Sequence, residues 1–101
     1  MLSELIGNIK SSNATVCVLG LGRVGLPLSV VFANSGLNVV GVDIDREKVV
    51  KINRGEAPFR ENKLEEYLRR ALELKKFRAT SESREGIARA DIIVVTVGTP
   101  A

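Results

Sequence analysis

Histidine and tryptophan do not occur in these 101 residues. Without histidine the chain lacks the usual general base near neutral pH and the commonest nitrogen ligand for a metal. No metal site is expected. A single cysteine, Cys17, excludes an internal disulfide and fits a reducing compartment. The aromatics are one tyrosine and three phenylalanines, the net charge is only +3, and the basic residues form no block. A nucleic-acid surface is therefore disfavoured. No apolar run approaches a membrane span. The opening MLSELIGNIK lacks the basic start, apolar run and cleavage site of a secretory signal. These absences together point to the cytoplasm.

What is present is a foldable composition. Hydrophobic residues make up 45% and charged residues of mixed sign 27%, enough for a core and too balanced for disorder. Leu2, Leu5, Ile6 and Ile9 recur at helical spacing, so residues 1–12 are expected to form an N-terminal amphipathic helix and residues 13–101 one domain or part of one. Within the latter, ATVCVLG (14–20), NVVGVD (38–43) and DIIVVTVG (91–98) are apolar, β-branched runs of the kind that form strands buried on both faces. FRAT (77–80) is a short strand at best. Helices are expected over 23–36, closed by Gly36, over 45–55, closed by Gly55, and over 62–76. In the first of these, Leu28, Val31 and Phe32 share helical spacing. In the third, Asn62 is placed to cap and Glu65 to complete the box, with Leu64, Leu68, Ala71 and Leu72 as the buried stripe. One or two helical turns are expected over 81–90. The alternation predicts an α/β, Rossmann-like doubly wound parallel sheet, truncated to its first half, in the order 3-2-1-4.

Three glycines crowd the end of the first strand. Gly20-Leu21-Gly22-Arg23-Val24-Gly25 is G-x-G-x-x-G between an expected strand and an expected helix, the context that makes this otherwise weak pattern informative. Gly20 would make the turn, Gly22 would let a pyrophosphate approach the backbone, and Gly25 would let the helix pack on the sheet. Asp43 ends the second strand 18 residues past Gly25, close to the offset of about 20 expected for the carboxylate that binds an adenosine ribose. That carboxylate would repel a 2′-phosphate, which favours NAD over NADP; Arg46 is the counter-signal. Glycines kept only for strand–helix packing, with Asp43 only capping a helix, is the competing structural explanation. Cys17 lies inside a strand with no base nearby and is expected to be an unreactive core residue. No catalytic residue is assigned.

These pieces resemble the UDP-glucose/GDP-mannose dehydrogenase family, the nucleotide-sugar dehydrogenases. The resemblance rests on VLGLGRVGLPLS, VVGVDIDREKVVKINRGEAP, LEEYLRRAL, FRATSE and ADIIVVTVGTP, in family order, with KINRGE and FRAT nearest the UDP-N-acetylmannosamine dehydrogenase branch. One departure is Glu61-Asn62-Lys63-Leu64, where the family usually has Glu-Pro-Gly-Leu. The resemblance implies oxidation of the C6 alcohol of a UDP-sugar to a carboxylate with two NAD, through a cysteine and a lysine that belong to later segments of the family. It implies that Arg23 and Val24 of the loop, Asp43 and Thr99 contact the cofactor and that Lys48 lies near it, although Lys48 is also readily explained as a solvated helix residue and Thr99 as a strand terminator. On this reading the chain alone would bind NAD weakly, lack catalysis, meet a UDP-sugar only with the missing downstream domains, and self-associate through an uncovered strand. A regulatory NAD-sensing module of the potassium-transport type shares the GLGRVG loop and the acidic residue but not KINRGEAPFRE and the long helix after it. A hydroxyacid dehydrogenase is a third reading.

Overall fold

The computed structural model describes residue 4 and residues 13–96. Glu4 is helical; the remainder of the expected N-terminal helix and Thr99 lie outside the described residues. In chain order the elements are β1 (Thr15–Leu19), α1 (Gly25–Asn34), β2 (Asn38–Val42), α2 (Arg46–Asn53), α3 (Leu64–Glu73), β3 (Phe77–Thr80), α4 (Ser83–Ala88) and β4 (Ile92–Val95). The four strands form one parallel sheet in the order β3-β2-β1-β4. The chain therefore steps outward from β1 to β3 and then returns to the other side of β1. That reversal makes a switch point between β1 and β4, at whose carboxyl end open α/β sheets bind ligands.

Strand period 2 divides the apolar residues between two layers. Val16, Val18, Val39, Phe77 and Ala79 face one core with Leu26, Val30 and Ala33 of α1, Val49 and Ile52 of α2, and Leu64, Leu68 and Ala71 of α3. On the opposite face Cys17, Val40 and Val42 lie beneath α4, where Gly86 permits the approach: a Cβ there would stand 2.6 Å from Val42 Cγ2 and 3.2 Å from Cys17 Sγ. Cys17 is fully buried, as its place in β1 implies, and burial pushes its thiol pKa up.

Helix α1 turns inward only part of the stripe its sequence suggested: Phe32 packs against the core, but the fully buried face lies elsewhere. Val31 is 57% exposed, whereas Leu26, Ser29, Val30 and Ala33 are buried. A segment apolar all round does not specify its own inner face; the contact of Gly25 with the end of β1 sets the rotation. The helix closes as expected, with Gly36 at φ 99° and bonds from Gly36 N to Ala33 O and from Leu37 N to Phe32 O. Helix α2 opens on Asp45, whose carboxylate accepts from Lys48 N, and closes on Gly55 at φ 85°.

Three expectations need correction. Asn62 does not cap α3; Lys63 occupies the cap position in a left-handed conformation, φ 61°, and makes no side-chain cap bond. Glu65 is committed elsewhere, accepting from Ala57 N at 3.1 Å and pairing with Arg69 at 3.0 Å, so the tie to the preceding loop replaces the capping box. FRAT is a full partner in the sheet rather than a marginal strand. Its outer edge is closed by Asn53, whose side-chain amide donates to Ala79 O and accepts from Ala79 N, both at 2.9 Å. Finally, β4 is not buried on both faces: Ile92 and Val94 pack against the core, while Ile93 and Val95 are 45% and 61% exposed.

Candidate functional site

The glycine turn sits where β1 ends at the switch point. Gly20 adopts φ 101°, which a side chain would strain, and its N–H donates to Val42 O at 2.8 Å. Gly25 packs so tightly that a Cβ would fall 1.7 Å from Gly20 O and 2.5 Å from Thr96 Oγ1. Gly22 differs: a Cβ there would meet nothing within 4 Å among the described residues beyond its own chain neighbours. Packing inside the protein explains Gly20 and Gly25 and leaves Gly22 unexplained. Backbone kept bare on an open, exposed side suits the close approach of something from outside.

The chemistry of that opening is set by the start of α1. Val24 holds the cap position without a side-chain cap bond, and the first turn contains no acidic residue. Leu26 N already donates to Gly22 O at 3.1 Å and Pro27 has no N–H, so what the helix start offers an anion is its positive dipole end. Arg23 adds a cation on the crest of the loop, its guanidinium 5.0 Å from the centre of the Phe59 ring. Val24 is 68% exposed beside it.

Asp43, one residue past β2, completes the arrangement. Its Oδ2 accepts from Leu21 N of the glycine turn at 3.0 Å and from Lys48 Nζ at 3.2 Å, and its Oδ1 accepts from Asp45 N at 3.0 Å. Burial alone would raise the Asp43 carboxyl, but the Asp45 and Leu21 amides and the Lys48 ammonium outweigh it and hold its pKa below the usual value. A carboxylate that stays ionised, fixed against a bare loop, is a hydrogen-bond acceptor suited to sugar hydroxyls. Oδ1 accepts only one bond among the described residues, and a carboxylate oxygen has capacity for about two.

Of the residues singled out from sequence, the structure brings together Gly20, Gly22, Arg23, Val24, Gly25, Asp43 and Lys48. Lys48 is not merely solvated: its side chain is 27% exposed and ion-paired to Asp43. Arg46 is exposed at the start of α2. Two residues escaped sequence reasoning. Ile44, beside Asp43, is 93% exposed, an apolar face next to that carboxylate; its position directly after the acidic residue was the available signal. Thr96 donates through its hydroxyl to Gly20 O at 2.7 Å; nothing local in VVTVG marked it. Among the described residues no group of three metal-ligating side chains occurs.

A bound dinucleotide fits what is present: bare backbone at Gly22, a helix N-terminus and Arg23 for a pyrophosphate, and the Asp43 carboxylate for a ribose. Comparison with known proteins gives NAD as the cofactor of such a domain. The family model for the UDP-glucose/GDP-mannose dehydrogenase family, NAD binding domain, matches residues 14–101. UDP-glucose 6-dehydrogenase of Pseudomonas aeruginosa is 41% identical over 85 residues, 84% of this chain and 19% of that protein. UDP-N-acetyl-D-mannosamine dehydrogenase of Pyrococcus horikoshii is 39% identical, again over 84% of this chain and 20% of its own length. The solved structure of a UDP-glucose dehydrogenase from Pyrobaculum islandicum superposes with a TM-score of 0.83 at 38% identity, covering 86% of this chain and 20% of that one. The chain thus spans about a fifth of the length of the curated relatives it matches.

Proposed function

The chain belongs to the UDP-glucose/GDP-mannose dehydrogenase family, as its NAD-binding domain, and from that premise we propose that residues 13–101 hold the adenosine ribose and pyrophosphate of NAD for the oxidation of a nucleotide sugar. The observation that carries this reading is the Asp43 carboxylate, bonded to Leu21 N of a glycine turn whose Gly22 is bare toward the outside. In this reading Gly20, Gly22, Arg23, Val24 and Gly25 receive the pyrophosphate. Asp43 accepts the ribose hydroxyls, and Lys48 keeps that carboxylate in place. Thr99 lies outside the described residues and enters on its sequence position alone, at the carboxyl end of the β4 run. Bound NAD supplies the hydride acceptor. Taking a C6 alcohol to a carboxylate would need two hydride transfers to NAD and one water for the second oxygen.

The substrate of the whole enzyme is a nucleotide sugar, read here as a UDP-sugar from the KINRGE and FRAT segments, although GDP-mannose dehydrogenases are also among the relatives, and its chemistry needs segments this chain does not contain. Cys17 is no substitute for a nucleophile, because burial holds it as the thiol. The setting is cytoplasmic, consistent with a lone thiol that has no disulfide partner in the chain. The family match over residues 14–101 favours this reading over a regulatory NAD-sensing module.

Calorimetric titration of the chain with NAD and NADP tests the assignment. NAD binds weakly and in preference to NADP. Asp43→Asn removes a ribose acceptor and a charge that repels a 2′-phosphate, so it weakens NAD by about tenfold and narrows the preference. An unchanged ratio of the two affinities would remove Asp43 from the site.

A further inference from the structure

One peptide group in the glycine turn is bonded at both ends. The carbonyl oxygen of Gly20 accepts from Thr96 Oγ1 at 2.7 Å, and the N–H of Leu21, the other end of the same rigid plane, donates to Asp43 Oδ2 at 3.0 Å. The end of β4 and the carboxylate at the end of β2 are therefore joined through a single plane lying on the end of β1. Thr96 has little freedom of its own. Its N–H donates to Leu19 O at 2.9 Å, and its Oγ1 lies 3.1 Å and 2.5 Å from where a Cβ on Gly20 or Gly25 would stand.

We infer that Thr96 is a positioning residue for the cofactor site, its hydroxyl fixing the Gly20–Leu21 peptide so that Leu21 N–H aims the Asp43 carboxylate. Gly20 needs such a constraint. A glycine at positive φ has broad conformational freedom, and rotating the Gly20–Leu21 plane would exchange the directions of its C=O and N–H. A carbonyl oxygen would then face Asp43, and the carboxylate would lose one of its two backbone donors, leaving Asp45 N and the Lys48 ammonium. The hydroxyl holds the plane the right way round. It also polarises it, since each bond in the sequence hydroxyl to carbonyl, amide to carboxylate strengthens the next. The role assigned to Asp43 as ribose acceptor rests on the NAD reading above; the coupling of Thr96 to Asp43 does not.

The test compares Thr96→Val, which keeps the shape and loses the hydroxyl, with Thr96→Ser, which keeps the hydroxyl, in the full chain. Without cofactor, NMR follows the titration of the Asp43 carboxyl and the Leu21 amide proton shift. Calorimetry follows NAD, and thermal melting follows the fold. With valine the Asp43 carboxyl rises toward its ordinary pKa, the Leu21 amide shift moves, and NAD weakens by about tenfold, the effect of one net hydrogen bond. Serine restores all three. A valine variant that changes only the melting temperature, or a serine variant that behaves like valine, overturns the inference and leaves Thr96 as a fastener between β4 and β1. Where valine does not fold, Thr96→Ala takes its place against serine with the same readouts. If the unaltered chain binds no NAD, the functional reading falls, while the cofactor-free shifts still decide the role of Thr96.

Discussion

At Gly25 an added methyl group would stand 1.7 Å from the Gly20 carbonyl oxygen, a clash with backbone that no rotamer relieves. At Gly22 the same group would meet nothing within 4 Å among the described residues. The two substitutions should therefore separate folding from binding. Gly25→Ala is expected to cost about 3 kcal/mol or to abolish folding. Gly22→Ala is expected to stay within about 0.5 kcal/mol of the parent while losing NAD. Urea unfolding beside calorimetry checks both, and equal stability losses at the two positions would contradict the assignment of Gly22 to the ligand. Asp43 adds a pH dependence. Its folded pKa lies below the unfolded one, so its contribution is present above the unfolded value, about 3.9, and disappears as pH falls through the folded value. The stability advantage of the parent over Asp43→Asn should be full at pH 6 and shrink below about pH 4. A difference independent of pH would mean that the carboxylate is not stabilised in its ionised form.

Among the elements, β3 shows how a short segment becomes a strand. Four residues with an arginine among them give a weak local signal, yet β2 pairs with them in parallel register and Asn53 satisfies Ala79 on the other side. Asn53 thus blunts an edge that would otherwise offer unpaired backbone. It belongs to KINRGE, whose other parts are structural too: Gly55 ends α2, and its carbonyl accepts from Arg69 Nε at 3.2 Å. Asn53→Ala should cost about 1–2 kcal/mol and speed hydrogen exchange at the Ala79 amide. Unchanged protection there would show that water or another group already serves that edge.

Over the whole molecule, the described residues cover the two faces of the sheet unequally. Among them, helices α1, α2 and α3 lie on one face and the six-residue α4 on the other. By register, Ile93 and Val95 of β4 fall on the same side as Cys17 and Leu19, and they remain exposed, with Ile87 of α4 also 42% exposed. Apolar side chains on a strand that pairs only with β1 among the described residues invite another surface. Light scattering should show a mass that rises with concentration, and the paired substitution Ile93→Lys with Val95→Lys should lower it. A concentration-independent monomer would end the self-association proposal. The same preparation should give no sustained NADH formation with UDP-glucose, and Cys17→Ser should leave that result unchanged.

The strands of the sheet's centre, the glycine turn and Asp43 were legible because each is a local pattern: β-branched apolar runs, a spacing of three glycines and an acid at a strand end all act within a few residues of themselves. The strand order followed as well, since short right-handed crossovers leave few alternatives once strands and helices alternate. The failures were of another kind. Asn62 has every local qualification for a cap, but Glu65 is drawn to Ala57 N and Arg69. The inner face of α1 depends on what Gly25 touches, the strength of β3 on an asparagine 26 residues earlier, and the Lys48–Asp43 pair on how α2 leaves β2. Thr96 and Gly20 are 76 residues apart. Local chemistry determined which segments form elements and where the glycine turn and the Asp43 carboxylate fall in the chain. Only tertiary structure decided which side chains hold that site still, because the partner in each case lies on another element.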